Sequence, residues 1–355
     1  MRVLGSKNAG VTSVRATCSR TALACAGIAA VMSVTAMASG PAAATGRHGV
    51  APRSTVTARI PLAHLPRSMV TDPRTDMIYV SEFFGELQVI NGRTDSVVAS
   101  VPVPGRAPFV AVDQVTDMIY VTGSRYVSVV SGRTNTVVAK IRLGPSSFIA
   151  TDPLTNRIYV QAFVSTTAGK LDVVNGRTNK VIATVPDANS SWGVATDPKT
   201  NTVYFGGAQD SLLVLNGQTD TVAATITNIQ GSDITADPLT NTVYVPDPFS
   251  DGGGGETFVV NGQTSTITTS VPGNSPVAAT VDGHTDMVYV ANTFGGFLGT
   301  PGLVSVINGK TSTITANIKL SGTPFDIAVD SLTNKVYVAC ANKHARWVTV
   351  LGGIR

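Results

Sequence analysis

Residues 68–101, SMVTDPRTDMIYVSEFFGELQVINGRTDSVVASV, contain four apolar segments that are separated by turn signals. Asp72-Pro73-Arg74-Thr75 separates the first two segments and predicts a tight turn. The Asp side chain can hydrogen-bond to the backbone two residues later, and the Pro ring fixes φ at the second position of the turn. Asn91-Gly92 separates the last two, because both residues tolerate the positive φ of a tight hairpin. The pattern therefore predicts a four-stranded antiparallel sheet with strands at Ser68–Asp72, Met77–Ser81, Glu86–Ile90 and Ser96–Val101.

The same unit recurs along the chain. A tyrosine in the second segment marks each copy, at spacings of 39 to 48 residues: Tyr79, Tyr120, Tyr159, Tyr204, Tyr244, Tyr289 and Tyr337. Repeats of this length that are all-β by local pattern are typical of propellers rather than helical solenoids. We therefore predict an all-β fold over residues 54–355, a seven-bladed β-propeller of four-stranded antiparallel blades.

The seventh unit ends after three strands, Phe325–Asp330, Lys335–Cys340 and Trp347–Leu351. Thr55–Ile60 (TVTARI) is similar to Thr313–Ile318 (TITANI), the fourth strand of the sixth unit. We predict that this N-terminal strand completes the C-terminal blade, which closes the ring and removes a free sheet edge.

Residues 1–38 have the pattern of a Sec-type signal peptide. Four cations precede an apolar run from Thr21 to Ala38 that ends in Ala36-Met37-Ala38. Ala42-Ala43-Ala44 offers a second cleavage site, and an uncleaved anchor helix is the alternative. Residues 39–53 form a small-residue linker, so we expect a secreted, extracytoplasmic protein with no membrane span after cleavage.

The formal charge of +4 comes from the N-terminal segment. Four of the 26 Lys and Arg residues lie there and no acid does, so the rest of the chain has 22 of each sign. This balance argues against a nucleic-acid partner. Cys340 is the one cysteine after the signal segment, and we expect it to be a buried free thiol in a monomer.

The tight turns all fall on one face of the disc, so the variable connections lie on the other. The longest are Gln161–Lys170, Pro246–Glu256 and Ala291–Leu303, and several contain phenylalanine. Exposed rings on such loops favour a small-molecule, glycan or protein ligand. Alternatively, the rings pack beneath their own loops.

Segments that enter the innermost strands place candidate ligand-binding residues at the mouth of the central channel: Arg67, Phe109, Phe148, Trp192, Asp233 and Asp326. Asp233 and Asp326 each lie four residues before the turn Asp of their units, where the repeat needs no acid. Two such acids could bind a divalent cation or shift each other's pKa, or each could cap local backbone N–H groups. His64 and His344 flank the closing blade on the same face, where they could share this site or lie on polar loops by chance.

A second candidate cation site is the loop Asp247–Glu256, DPFSDGGGGE. Asp247, Asp251 and Glu256 could supply oxygen ligands to a calcium ion, as could Asp233 and Asp326 at the channel mouth. The spacing is not that of an EF-hand, and a plain flexible loop is the alternative. No cofactor is required by the sequence.

Tyr120-Val121-Thr122-Gly123, Tyr289-Val290-Ala291-Asn292 and the hairpin Val304–Gly309 resemble the repeat of the bacterial, extracytoplasmic YVTN β-propeller family. The resemblance covers about residues 54–351. It implies the propeller fold and leaves the function open, since such folds host many activities.

Common catalytic motifs are absent from the sequence: it has no Gly-x-Ser-x-Gly, no His-Glu-x-x-His, no cysteine pair for zinc and no phosphate-binding loop. This favours a secreted, non-enzymatic binding or interaction module that uses the variable-loop face and the channel mouth. The alternative is an extracytoplasmic lyase or hydrolase with a channel-mouth site that could use a divalent metal. The repeat pattern shows no paired His and Glu from inner strands that would support it.

Overall fold

The computed structural model describes residues 55–103, 105–106, 109–163, 169–186, 193–207, 210–250, 254–295 and 298–352. The described residues belong to one unit, residues 50–355. The predicted signal peptide and linker lie outside them. No helix in the described ranges is long and apolar enough to cross a membrane.

The described residues form 28 strands, which in chain order are β1 (Thr55–Pro61), β2 (Pro66–Asp72), β3 (Met77–Glu82), β4 (Glu86–Asn91), β5 (Ser96–Pro102), β6 (Val110–Asp113), β7 (Met118–Val121), β8 (Tyr126–Ser131), β9 (Thr136–Arg142), β10 (Ser146–Asp152), β11 (Arg157–Phe163), β12 (Gly169–Asn175), β13 (Lys180–Pro186) and β14 (Val194–Asp197). The second half of the chain contains β15 (Thr202–Gly207), β16 (Ser211–Asn216), β17 (Thr221–Thr227), β18 (Thr235–Asp237), β19 (Thr242–Asp247), β20 (Glu256–Asn261), β21 (Thr266–Pro272), β22 (Pro276–Asp282), β23 (Met287–Asn292), β24 (Leu303–Asn308), β25 (Thr313–Lys319), β26 (Thr323–Asp330), β27 (Lys335–Ala341) and β28 (Arg346–Gly352).

The strands form seven four-stranded antiparallel sheets. Blades one to six take four consecutive strands each, from β2–β5 to β22–β25, and blade seven has the order β1-β28-β27-β26. The first strand of each blade contacts the first strands of both neighbouring blades, so these strands surround the central channel. The predicted seven-bladed propeller is confirmed.

Ring closure also follows the prediction, because β1 pairs antiparallel with β28 from Thr55↔Gly352 to Pro61↔Trp347. As an outermost strand, β1 is mostly exposed, and a bulge lies between Val56 and Ala58. Ile60 is its one fully buried side chain and packs in a core shared by blades seven and one. The strand thus joins both ends of the described chain in one blade.

The turn between the first two strands of each blade is stabilised by its aspartate. In blade one, Asp72 Oδ1 accepts the backbone N–H of Arg74 at 3.0 Å, and Asp72 Oδ2 accepts the Thr75 hydroxyl at 3.0 Å. Asp152 and Asp237 make the same two contacts in blades three and five. The short Asp-Pro-x-Thr signal therefore predicts this turn correctly.

The Asn-Gly hairpin forms where predicted, but for a different reason. Asn91 Oδ1 accepts the N–H groups of Arg93 and Thr94, at 2.9 and 3.1 Å, so the asparagine acts through its side chain. The positive φ of this turn, 49°, occurs at Asp95. The expectation that Asn91-Gly92 supplies the positive φ is therefore wrong.

Candidate functional site

A pocket of about 520 Å³ opens at the channel mouth, on the face of the variable loops. The first strands supply Arg67, Phe148 and Phe325, while Phe109 and Asp233 lie just before β6 and β18. The β19–β20 connection adds Phe249. The remaining lining residues are polar or small: Ser232, Pro248, Ser275, Val277, Thr293 and Gly295. This volume lies within the usual range for small-molecule sites.

One wall of the pocket is a stack of three planar groups. The rings of Phe109 and Phe148 have their centroids 4.0 Å apart at an angle of 40°. The guanidinium carbon of Arg67 lies 4.9 Å from the Phe109 centroid, within cation–π distance. The wall therefore combines an apolar surface with a rigid group that donates hydrogen bonds.

Two carboxyl groups meet beside this wall, because Asp233 and Asp326 hydrogen-bond to each other through their side chains. Asp326 lies in β26 and is buried, and it accepts the N–H groups of Met69 and Ile327 at 2.5 and 2.7 Å. Asp233 precedes β18 with a φ of 40°. The sequence suggested either that the two acids interact or that each caps backbone N–H groups. The structure shows both features, since the acids contact each other and Asp326 also caps backbone groups.

Burial raises the pKa of both carboxyl groups. The pKa of Asp233 is well above its usual range, since the charge of Asp326 adds to the effect of burial and Arg67 opposes it. Backbone N–H groups favour the ionised form of Asp326. Of the two carboxyl groups, Asp233 therefore has the stronger tendency to hold a proton.

A narrower cavity of about 250 Å³ continues into the channel. It shares Phe109, Phe148 and Asp233 with the pocket, and Asp326 lies in its wall. Hydroxyl groups line it, but Thr71 and Thr151 already donate to carbonyls of neighbouring blades. The acid pair consequently lies where the open pocket meets the channel.

The pocket contains four of the residues predicted for it, Arg67, Phe109, Phe148 and Asp233, and Asp326 adjoins it. Trp192 lies outside the described residues. His64 and His344 are not among the described lining residues of the pocket. His64 contacts Glu82 instead, and His344 lies exposed in the β27–β28 turn.

The predicted calcium loop is described in part. Asp247 is buried, which raises its pKa, and its Oδ1 accepts the N–H groups of Phe249 and Ser250 at 2.9 and 3.1 Å. Glu256 lies directly opposite Asp247 across the β19–β20 pair. Asp251 lies outside the described residues. Asp247 thus has a clear role as a turn cap.

A His–Glu cluster was missed by the sequence reasoning. His64 Nδ1 lies 3.3 Å from Glu82 Oε2 and 3.6 Å from Glu86 Oε2. The sequence did contain a signal for the two glutamates. Glu82 and Glu86 are separated by three residues in a strand–turn–strand pattern, which places them opposite each other. Nothing comparable in the sequence placed His64 beside these two acids.

No protein-family model matches the chain, and no curated protein matches it either. Among solved structures, the chain is similar to Kuenenia stuttgartiensis hydrazine synthase, with a TM-score of 0.67 and 14% identity. The match covers 80% of this chain and 94% of that one. At such low identity the likeness concerns the fold alone.

Proposed function

We propose that the protein is a secreted binding module that takes up a small, largely apolar ligand at the channel mouth. The observation that carries this proposal is the stack of Arg67, Phe109 and Phe148 in a pocket of about 520 Å³. Ligand pockets are commonly apolar, with a few polar groups that fix orientation. Here Arg67 and Asp233 are those groups.

The chemistry of the wall defines the ligand. A flat apolar body packs on Phe148 and Phe109, and an anionic or carbonyl group accepts hydrogen bonds from Arg67. The raised pKa of Asp233 favours its protonated form, in which the carboxyl group is a further donor. Arg67 and the pair formed by Asp233 and Asp326 have opposite charges, so the site has no large net charge to exclude such a ligand.

Anilinonaphthalene sulfonate has the required aromatic body and one anion, and its fluorescence reports binding. We expect Phe148→Ala to weaken its binding at least about tenfold, through loss of apolar contact area. Arg67→Gln should weaken it as well. Phe84→Ala is the matched control, because Phe84 is 70% exposed and lies outside the pocket lining. Equal affinities of the parent and Phe148→Ala would refute the proposal.

An enzymatic role is the second candidate, and the acid pair is the observation that favours it. A protonated Asp233 beside an ionised Asp326 could act as a general acid–base pair in a lyase or hydrolase. A panel of chromogenic esters and glycosides tests this role. Turnover by the parent that is lost in Asp233→Asn, with dye binding retained, would favour the enzyme over the binding module.

As part of the same proposal, the protein is exported from the cytoplasm and belongs to the YVTN propeller family. The N-terminal pattern supports Sec-dependent export, and the repeat residues support membership of the YVTN family. Export predicts a mature chain that begins at about Ser39 or Thr45, which the intact mass of the secreted protein measures. Recovery of the unprocessed chain in the membrane fraction would contradict it. The charge balance supports a role without nucleic acid, and we propose a monomer.

A further inference from the structure

Blade one has a second group of chemically active side chains, which lies outside the pocket lining. His64 lies between β1 and β2, Glu82 ends β3 and Glu86 begins β4. One ligand atom from each residue lies within 4.8 Å of the other two. The Glu82 side chain is fully buried, whereas those of His64 and Glu86 are 41% and 33% exposed. The group is thus anchored inside the blade and open to solvent on one side.

The two glutamates face each other directly across the β3–β4 pair. Like charges in such cross-strand positions destabilise a sheet, and burial of one of them increases the cost. Within the described part of the chain, His64 is the only basic side chain within 4 Å of either carboxylate. An imidazole supplies a full positive charge only when it is protonated. The arrangement therefore lacks a permanent cation.

Two of the three distances between ligand atoms fit a small divalent ion, and the third, between the two glutamates, is within 4.8 Å. Zinc binds imidazole nitrogen and carboxylate oxygen at about 2.0–2.2 Å, so the ligand atoms of a tetrahedral site lie about 3.3–3.6 Å apart. His64 Nδ1 lies 3.3 Å from Glu82 Oε2 and 3.6 Å from Glu86 Oε2. We propose that His64, Glu82 and Glu86 form a three-ligand site for Zn²⁺ with its fourth position open to solvent.

Surrounding groups hold the ligands in place. Gln88 Nε2 donates to Glu82 Oε2 at 3.0 Å and to Glu86 Oε2 at 3.3 Å, and Ser100 Oγ donates to Glu86 Oε2 at 3.2 Å. The His64 ring packs against Phe84 with the centroids 5.5 Å apart. Such outer contacts fix the orientation of metal ligands. The mixture of one nitrogen and two oxygens selects Zn²⁺ over Ca²⁺, which takes oxygen ligands.

The position of the site means that a bound ion would link two segments of the chain. His64 belongs to the connection that follows the closing strand β1, whereas both glutamates belong to the β3–β4 hairpin. The backbone N–H of His64 already donates to Glu82 Oε1 at 3.0 Å. A bound ion would add a second link between the closing segment and blade one. Zinc should consequently raise the melting temperature as well as bind.

Calorimetric titration of the tag-free protein with zinc chloride tests the site. We expect one binding step in the parent that weakens at least about tenfold in His64→Ala and in Glu86→Gln. Both residues are partly exposed, so these variants should fold like the parent, as circular dichroism will show. Zinc should raise the melting temperature of the parent, and EDTA should reverse the shift.

Two matched controls separate this site from nonspecific binding. His344→Ala removes an exposed histidine, and Asp210→Asn removes an exposed carboxylate, and neither residue belongs to the cluster. Both should keep the parent affinity. Equal zinc affinity in the parent and His64→Ala, no binding at micromolar zinc, or tighter binding of Ca²⁺ than of Zn²⁺ would overturn the proposal. Dye binding at the channel mouth should be unchanged in His64→Ala, so the two sites are tested separately.

Discussion

The hydroxyl of Tyr337 in blade seven lies 2.9 Å from the place that a Cβ atom on Gly92 of blade one would occupy. Tyr79 has the same relationship to Gly132 of blade two, at 2.9 Å. The repeated tyrosine of one blade therefore packs against the hairpin glycine of the next. The two sequence signals of the repeat, the tyrosine and the Asn-Gly pair, are therefore linked, because the tyrosine of one blade and the glycine of the next form the contact between neighbouring blades.

Replacement of Gly92 by alanine should destabilise the ring. The new methyl group would meet the Tyr337 hydroxyl and the Asp76 carboxylate, so we expect a loss of about 1–3 kcal/mol from overpacking. Urea unfolding measures it. Gly254→Ala is the control, since its nearest atom would be the Gly273 carbonyl oxygen at 3.9 Å. Equal urea midpoints for the two variants would contradict the packing argument.

Lys335 makes a polar contact across the same boundary. Its Nζ donates to the Gly92 carbonyl at 2.6 Å and lies 3.0 Å from Asp95 Oδ1. Both side chains of this ion pair are about three-quarters buried. We expect Lys335→Met to lower the free energy of unfolding by about 1 kcal/mol, with a smaller effect at high salt. The exposed Lys199 gives the control, and an equal effect of Lys199→Met would remove the special role of Lys335.

The closing strand should depend on one side chain. Ile60 is 2% exposed in the core between blades seven and one, whereas Val56 on the same strand is 43% exposed. Ile60→Ala should cost about 2–5 kcal/mol and lower the melting temperature of the whole ring. Val56→Ala should leave it nearly unchanged. A local loss of β1 without a lower global melting temperature would show that closure contributes little to stability.

Much of the fold is predictable from the sequence because the repeat supplies seven versions of the same local signals. The turn at Asp72 and the exchange of β1 into blade seven follow from residues that lie near one another in the chain or in the repeat. Arg67, Phe109 and Phe148 were located at the channel mouth by their place before or at the start of a first strand. Such positions are fixed by blade topology.

Contacts between different connections could not be predicted in this way. The contact of His64 with Glu82 depends on how the β1–β2 connection lies on the hairpin of blade one, and no repeat position encodes it. The same limitation explains the placement of His344, which flanks the closing blade as expected but lies in an exposed turn. The restriction at Gly92 comes from the Asp76 carboxylate and from the Tyr337 hydroxyl, and the second of these is remote in sequence.

The acid pair at the channel mouth should make stability depend on pH. Burial raises the pKa of Asp233 in the folded protein well above that of an unfolded chain. At a pH between the pKa of Asp233 in the unfolded chain and its pKa in the folded protein, the folded state holds a proton that the unfolded state has released. The free energy of unfolding therefore falls as pH rises through this window. The contribution of Asp233 protonation to the free energy of unfolding is fully present below the ordinary pKa of aspartate, near pH 4.

Asparagine at position 233 keeps a neutral donor toward Asp326 and removes the titrating proton. Asp233→Asn should therefore be more stable than the parent at pH 8, and the difference should shrink as pH falls toward 4, because the parent is then protonated there too. Urea unfolding at pH 4.5, 6 and 8 measures the difference, with the exposed Asp210→Asn as the control for loss of one carboxyl group. If the stabilities of the parent and Asp233→Asn change in parallel over this range, Asp233 does not hold the proton of the pair. A parallel change would also remove the acid that the enzymatic alternative requires.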